Sequence, residues 1–181
     1  MSRLHTDPRS FLTAARDCPP RRAGVPRGVF LVSPEAFRLA EESARDNAYM
    51  RLDAAADPAR ALAQHAALAT ALAKAGIPAI VFPGDPATPD GVFPNNVHAS
   101  TAGRLVVGSM RYAIRRREAM RQDIRAFFSD VLGYRCIDLS ALPCVAELTG
   151  SLVIDRARNI GFCGLSERCD AAGAANTTPM S

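Results

Sequence analysis

The sequence repeats one plan of strand hairpin, helix and closing strand at a spacing of roughly 55 to 60 residues. The clearest copy predicts a hairpin over residues 92–108, a helix through Ile124 and Phe128, and a closing strand over 134–139. A partial copy follows, with a hairpin from Ser151 to Cys163. Such units cannot each bury both faces alone, so they either close around an axis or form an ordinary α/β sandwich. Both outcomes are α/β folds.

Start and stop signals divide the chain before the clearest copy. Residues 29–32 are a short apolar run typical of a buried strand. Asp57 followed by Pro58 predicts a helix start, and Gly76 with Pro78 predicts its end. A strand, a helix and a second strand are therefore expected here.

The two ends of the chain differ in composition from its middle. Residues 1–27 mix arginine, proline and aspartate without periodicity, which predicts a disordered or loosely docked leader. Residues 174–181 hold almost no large apolar side chain, which predicts a disordered tail. With 181 residues, of which 48% are hydrophobic, one ordered domain over 28–173 is expected.

Composition narrows the functional class. The net charge of +4 is mild, and no apolar run approaches the roughly 20 residues of a membrane-spanning helix. The N-terminus has no apolar signal-peptide core, so a cytoplasmic protein without a membrane partner is expected. The five cysteines follow no C-x-x-C spacing and predict buried reduced thiols, and the three histidines are scattered, so neither a metal nor a cofactor is expected.

One segment ends a strand in polar side chains. Residues 91–94 are an apolar run closed by Pro94, and Asn95 and Asn96 follow directly. Pro94 removes a donor from the sheet, and each asparagine offers an amide with a donor and an acceptor. The amides either hold a ligand or close a turn through their own backbone.

Three segments together resemble the pentein superfamily, whose members include arginine deiminase, dimethylarginine dimethylaminohydrolase and glycine amidinotransferase. They are Val92–Asn96, Glu147–Arg156 and Gly164–Arg168, in the family's order and spacing. The resemblance covers residues 28–173 and implies a pentein-type α/β propeller of ββαβ modules. The implied propeller is incomplete, since this chain holds about two and a half of five modules.

The resemblance implies residue roles. A cysteine attacks the amidino or ureido carbon of the substrate in these enzymes, and a histidine moves protons. Asn95 and Asn96 match the pair that holds a small guanidino or ureido substrate, with Phe93 beside them. Glu147 matches a supporting acid, and Arg168 matches a residue that binds the substrate carboxylate. Otherwise Glu147 is a solvated loop acid and Arg168 an exposed charge in the first turn of a helix.

Two departures from the family affect the function. Arginine deiminase and the dimethylarginine hydrolase have a carboxylate where this chain has Asn96, and a neutral amide suits a neutral, citrulline-like ureido group better. The family's catalytic histidine and cysteine belong to the fourth and fifth modules, and none of the five cysteines here matches. A truncated member that is inactive alone is therefore expected.

Two non-catalytic roles remain open. Arginines at 115, 116, 117, 121 and 125 could line a helix and bind phosphate. Glu118 and Asp123 interrupt that run, so a nucleic-acid partner is not expected. A regulatory module that associates with a complete paralogue, or with itself, through exposed module faces is the other role.

Overall fold

The strands and helices alternate as expected of an α/β fold. The computed structural model describes residues 4–5, 7–17, 26–38, 40, 42, 57–101, 103–155 and 160–177. The strands are β1 (Leu4–His5), β2 (Val29–Val32), β3 (Ala79–Phe82), β4 (His98–Thr101), β5 (Arg104–Val107), β6 (Arg135–Asp138), β7 (Leu152–Asp155) and β8 (Ile160–Cys163). The helices are α1 (Pro8–Asp17), α2 (Pro58–Lys74), α3 (Ala113–Ala119), α4 (Gln122–Ala126), α5 (Leu148–Ser151) and α6 (Ala171–Thr177). Short 3-10 turns cover Pro34–Ala36 and Pro94–Asn96, and a π-helical turn covers Phe127–Val131.

The chain divides into two compact units, Met1–Val92 and Phe93–Ser181, where the sequence predicted one domain over 28–173. The first unit holds a parallel sheet in the order β1-β3-β2. Val32, Ala69 and Ile80 are among its buried residues, so helix α2 contributes to the same core as the sheet.

Helix α2 begins and ends where its sequence signals predicted. The carboxylate of Asp57 accepts a hydrogen bond from the backbone N–H of Arg60 at 3.0 Å, and Pro58 occupies the first turn. Gly76 has a φ of +79°, a left-handed conformation that costs glycine little. Strands β2 and β3 are therefore joined by a helix, as expected.

Part of residues 1–27, predicted as a disordered or loosely docked leader, has regular secondary structure. Strand β1 pairs with β3, and helix α1 follows it. The carboxylate of Asp7 accepts from the backbone N–H of Ser10 at 2.8 Å, and Phe11 is 5% exposed. Asp7 and Pro8 repeat the start signal of Asp57 and Pro58. The rest of the predicted leader, residues 1–3, 6 and 18–25, lies outside the described residues.

The second unit contains a complete ββαβ module. Strands β4 and β5 are antiparallel, and β6 returns parallel to β5 after the helical segment. Gly133 has a φ of +68°, as expected of the residue that ends a helix. Val106 packs in a buried cluster with Leu139, Ala146 and Leu148. The predicted hairpin, helix and closing strand are thus all present.

The predicted helix of this module is interrupted. Helix α3 ends at Ala119, and Arg121 has an extended backbone with a ψ of 103° before α4 begins. Met120, which lies at the break, is 60% exposed. Ile124 and Phe128 are buried as expected.

Strands β7 and β8 form the second predicted hairpin, with Leu152 opposite Cys163. The helix expected at 166–168 is instead a turn, in which Ser166 and Cys169 exchange backbone hydrogen bonds of 3.0 and 3.1 Å. Helix α6 starts at Ala171 and runs to Thr177, so residues 174–177 of the predicted tail are helical. Residues 178–181 of the predicted tail lie outside the described residues.

The described strands form sheets of three, three and two strands and no closed barrel. Within the described ranges, none of the helices is both long enough and apolar enough to cross a bilayer.

Candidate functional site

The strand-end segment folds as a turn and not as part of strand β4. The backbone N–H of Asn96 donates to the carbonyl of Phe93 at 3.2 Å, and that of Val97 donates to Pro94 at 3.1 Å. Strand β4 therefore begins at His98, later than the predicted hairpin. The side chain of Asn95 is exposed and that of Asn96 is half-buried. Since the backbone closes the turn, the amide side chains are not needed for it.

A side chain that sequence reasoning missed fastens this turn to helix α5. The hydroxyl of Thr149 donates to the carbonyl of Asn95 at 2.6 Å, and α5 packs against the 3-10 turn. Thr149 lies within the segment Glu147–Arg156 that carried the family resemblance, which was the available signal. It fixes the backbone from which the Asn95 amide projects.

Glu147 is a buried carboxylate in a cationic environment. It immediately precedes helix α5 and is 6% exposed, which differs from a solvated loop acid. One oxygen accepts from the backbone N–H of Arg111 at 3.3 Å, and the other lies 3.9 Å from the guanidinium of Arg168. Buried carboxylates in proteins are generally paired in this way.

Arg168 lies in the turn between β8 and α6 and not in a helix. Its side chain is 29% exposed, and its carbonyl accepts from the backbone N–H of Glu147 at 2.8 Å. A Cβ at Gly150 would lie 3.0 Å from Cδ of Arg168 and 3.2 Å from a guanidinium nitrogen. Gly150 therefore leaves the room in which the arginine side chain lies across α5.

Arg111 and Glu167, which the sequence analysis did not identify, complete a group of four charges with Glu147 and Arg168. The side chains of Arg111 and Glu167 form an ion pair, and the Arg111 guanidinium lies 5.2 Å from the ring centre of Tyr112. The group consists of two positive and two negative side chains, of which Glu167 and Arg168 lie in the β8–α6 turn, while Arg111 and Glu147 approach it from other segments. Such an array can orient a planar polar group and also a carboxylate.

Phe93 is connected to a buried ion pair behind the turn. The Phe93 side chain is 45% exposed, and its carbonyl accepts from the guanidinium of Arg115 at 3.4 Å. Nε of Arg115 lies 2.7 Å from the carboxylate of Glu118, and both side chains are less than a tenth exposed. The pair supports the turn from inside the protein.

The arginine run is largely occupied by partners within the protein. Besides Arg115, Arg116 donates to the carbonyl of Met110 at 2.8 Å, and Arg121 pairs with Asp123. Arg125 pairs with Asp138 at 2.7 Å. The segment is therefore not the open basic helix face considered from the sequence. The absence of a nucleic-acid partner stays a prediction.

An open cavity of about 320 Å³ lies beside the turn. It is lined by His98, Ala99, Ser100, Leu148, Thr149, Leu152 and Ile154. Burial lowers the pKa of His98 to about 4, so the ring is neutral at neutral pH.

The predicted site residues do not line the cavity. Glu147 and Arg168 are brought together, Asn95 is joined to them through α5, and Phe93 and Asn96 lie on the adjoining turn.

The described cysteines are all free thiols. Cys136 is exposed, which corrects the prediction of burial there, whereas Cys144 and Cys163 are half-buried and Cys169 is buried. Cys18 lies outside the described residues. In the part of the chain that the structure describes, no three histidine, cysteine, aspartate or glutamate side chains are grouped as a metal site would require.

The sequence matches the family model of eukaryotic N,N-dimethylarginine dimethylhydrolase over residues 33–179. The chain belongs to this family. It is thereby a member of the guanidino-modifying pentein superfamily that the sequence motifs indicated. No curated protein sequence matches the chain.

Solved structures share the fold of this dimethylarginine hydrolase family member. A Pseudomonas aeruginosa dimethylarginine dimethylaminohydrolase, a cysteine-to-serine variant in complex with citrulline, is 22% identical with a TM-score of 0.64, over 83% of this chain and 55% of its own. The N-terminal domain of the cyanobacterial arginine dihydrolase ArgZ, bound to substrate, is 17% identical with a TM-score of 0.67, over 83% of this chain and 53% of its own. The chain thus spans about half the length of these proteins.

Proposed function

We propose that the second unit holds the planar guanidino or ureido group of an arginine-like or citrulline-like amino acid. The observation that carries the proposal is the buried Glu147, held beside Arg168 and joined to the Asn95 turn through Thr149. The second unit thus holds a buried, fixed carboxylate, one exposed and one half-buried amide, and a partly exposed arginine, which provide acceptors, neutral donors and a cation. An amino acid with a planar nitrogen-rich end has complementary groups for all three.

Each side chain has a proposed role. The amides of Asn95 and Asn96 hold the planar nitrogens, with Phe93 beside them. Glu147 is the supporting acid. Arg168 binds the substrate carboxylate, and its exposed fraction leaves it accessible even though Glu147 offsets part of its charge.

Asn96 makes a neutral ureido group the preferred ligand. A carboxylate there would form charge-assisted bonds to a cationic guanidinium, whereas an amide offers a neutral donor and acceptor. Citrulline is therefore proposed to bind more tightly than arginine or dimethylarginine. The family name alone favours a cationic substrate such as dimethylarginine. The family name and Asn96 therefore predict opposite orders of affinity for the cationic and the neutral ligand.

Catalysis by the 181-residue chain alone is not proposed. Burial, and then the hydrogen bond with Cys163, raises the pKa of Cys169 to about 11. Desolvation of the sulfur also raises the thiol pKa of Cys144, and that of Cys136 even though the Cys136 residue as a whole is exposed. Such thiols are poorly ionised near neutral pH and are poor nucleophiles. We propose that the 181-residue chain, with about two and a half propeller modules, binds substrate without turnover. A cytoplasmic location is part of this proposal.

Calorimetric titration with citrulline, arginine and dimethylarginine tests the site. Asn96→Asp is expected to shift the preference from citrulline towards arginine by about tenfold, the difference between neutral and charge-assisted hydrogen bonds. The matched control is Asn176→Asp in helix α6, which should leave the preference unchanged. Equal affinity for citrulline and arginine in the unaltered chain would overturn the ureido preference. No binding of any of the three would overturn the site itself.

A second role is favoured by the exposed face of the β7-β8 hairpin. Val153 and Phe162 are register partners, 66% and 61% exposed, and Leu165 just beyond is 67% exposed. We infer that this patch pairs with the same patch of a second copy, because an apolar surface of this kind is costly in water and a two-fold axis makes it self-complementary. Phe162→Ser should convert a dimer to a monomer in light-scattering measurements, and a monomeric unaltered chain would overturn the inference.

A further inference from the structure

Two thiols approach each other at the base of the turn that carries Glu167 and Arg168. The sulfur atoms of Cys163 and Cys169 lie 3.4 Å apart and are six positions apart in the sequence. Cys163 is the last residue of β8, and Cys169 lies before helix α6, separated from it by Asp170. The turn between them is thus almost closed by the pair.

The surrounding structure holds both thiols in place from outside the turn. The backbone N–H of Gly164 donates to the carbonyl of Ser151 at 2.8 Å, which fixes the end of β8. Cys169 and Ala146 are paired through their backbones in an isolated antiparallel β-bridge. The carbonyl of the neighbouring Arg168 accepts a hydrogen bond from the backbone N–H of Glu147. The proximity of the sulfurs is therefore determined by hydrogen bonds on both sides of the turn.

We propose that Cys163 and Cys169 form a redox-modification site that closes to an intramolecular disulfide by exchange with a small-molecule disulfide. The bond length of a disulfide is about 2.05 Å, so the sulfurs must approach by about 1.4 Å from their 3.4 Å separation. The site is distinct from the proposed substrate site in chemistry, although it closes the turn that bears Arg168.

The exposure of the two thiols assigns the order of the steps. Cys163 is half-buried and Cys169 is 1% exposed, so the small disulfide meets Cys163 first. The Cys163 thiolate attacks one sulfur of the reagent, which forms a mixed disulfide and releases one thiolate. Cys169 then loses its proton and attacks the Cys163 sulfur, and the second reagent thiolate leaves.

The exchange is balanced without any other reactant. Two cysteines lose two electrons and two protons, and one reagent disulfide is reduced to two thiols. Cys169 attacks second because it is the buried thiol and its sulfur lies 3.4 Å from the Cys163 sulfur, at which the mixed disulfide forms. A thiol reductant should reverse the reaction.

Oxidised glutathione added to the folded 181-residue protein tests the proposal, with alkylation of remaining thiols and non-reducing peptide mass mapping. A peptide linked through Cys163 and Cys169, two hydrogens lighter than the reduced pair, should exceed the glutathione adduct of Cys163 about tenfold or more, because ring closure is intramolecular. The reaction is measured without substrate, so its outcome is separate from that of the proposed function.

Two matched serine variants complete the experiment. Cys163→Ser should abolish the link, while Cys136→Ser, at an exposed cysteine, should leave its yield unchanged. A stable glutathione adduct at Cys163 with no link in the folded protein would overturn the proposal. So would a link that appears only in denaturant. Mapping of the unaltered chain decides the question even if Cys163→Ser fails to fold.

Discussion

The two hairpins of the second unit have the same strand lengths but very different surroundings. In β4-β5, Leu105, Val106 and Val107 are each at most 1% exposed, and the parallel strand β6 continues the sheet. In β7-β8, Val153 and Phe162 are mostly exposed, and the described sheet has two strands. Two-stranded ribbons are marginal in water without packing on one face. The comparison teaches that the module's helix and closing strand, more than the hairpin sequence, determine burial.

Breaking the buried ion pair of Arg115 and Glu118, which lies behind the 3-10 turn that precedes the first hairpin, should cause the largest loss of unfolding free energy. Glu118→Ala leaves the Arg115 guanidinium buried without its carboxylate, which costs about 3–5 kcal/mol of unfolding free energy. The matched control is Asp138→Ala, which breaks the more exposed pair with Arg125 and should cost about 1 kcal/mol or less. Urea unfolding measures both variants. Similar losses would mean that burial does not distinguish the two pairs.

The same leucine substitution can be made in both regions. Leu105→Ala creates a cavity in the first hairpin's core and should cost about 2–5 kcal/mol. Leu165→Ala, just beyond the second hairpin, removes a side chain that is 67% exposed and should change stability by about 0.5 kcal/mol or less. Chemical denaturation of the pair measures the contrast directly. The measurement is made at a protein concentration at which the chain is monomeric, because the proposed dimer would cover Leu165. A loss of more than about 1 kcal/mol for Leu165→Ala in the monomer would contradict the exposure of this side chain.

His98 in β4 gives the first hairpin a pH dependence. Burial, added to the nearby charges of Arg125 and Arg121, lowers its pKa from 6.5 to about 4. The unfolded chain therefore binds more protons between these values, and stability falls as pH drops from 6.5 towards 4, by about 3 kcal/mol in all. His98→Leu should flatten this part of the profile of unfolding free energy against pH. An unchanged slope in the variant would contradict a buried neutral ring.

Local signals account for what could be predicted from the sequence. Asp57 and Pro58 predict the start of helix α2, whereas the same signal at Asp7 and Pro8 stands in a segment whose composition is typical of disorder. The family resemblance brought Glu147 and Arg168 together as candidates, and the structure places them 3.9 Å apart. The link from Thr149 to Asn95 spans 54 positions, so it depends on packing that no local pattern specifies. The interruption of the helix between Ala119 and Gln122 likewise depends on the extended backbone of Arg121, which no local pattern specifies.

Gly173 and Gly161 differ in how much room their surroundings leave for an added methyl group. A Cβ at Gly173, in helix α6, would lie 1.9 Å from the carbonyl oxygen of Val145. A Cβ at Gly161, in β8, would meet nothing closer than 3.7 Å. Gly173→Ala should therefore cost about 1–3 kcal/mol through overpacking, whereas Gly161→Ala should stay within about 0.5 kcal/mol.

Denaturation midpoints of these two alanine variants measure the difference. Equal midpoints would mean that α6 can move away from Val145 at little cost, and hence that the segment after β8 is no more tightly held than the hairpin itself. A selective loss for Gly173→Ala would show that the chain regains close packing after the exposed hairpin. The turn bearing Arg168 would then be anchored on its C-terminal side by α6, which is the condition for Arg168 to keep its position beside Glu147.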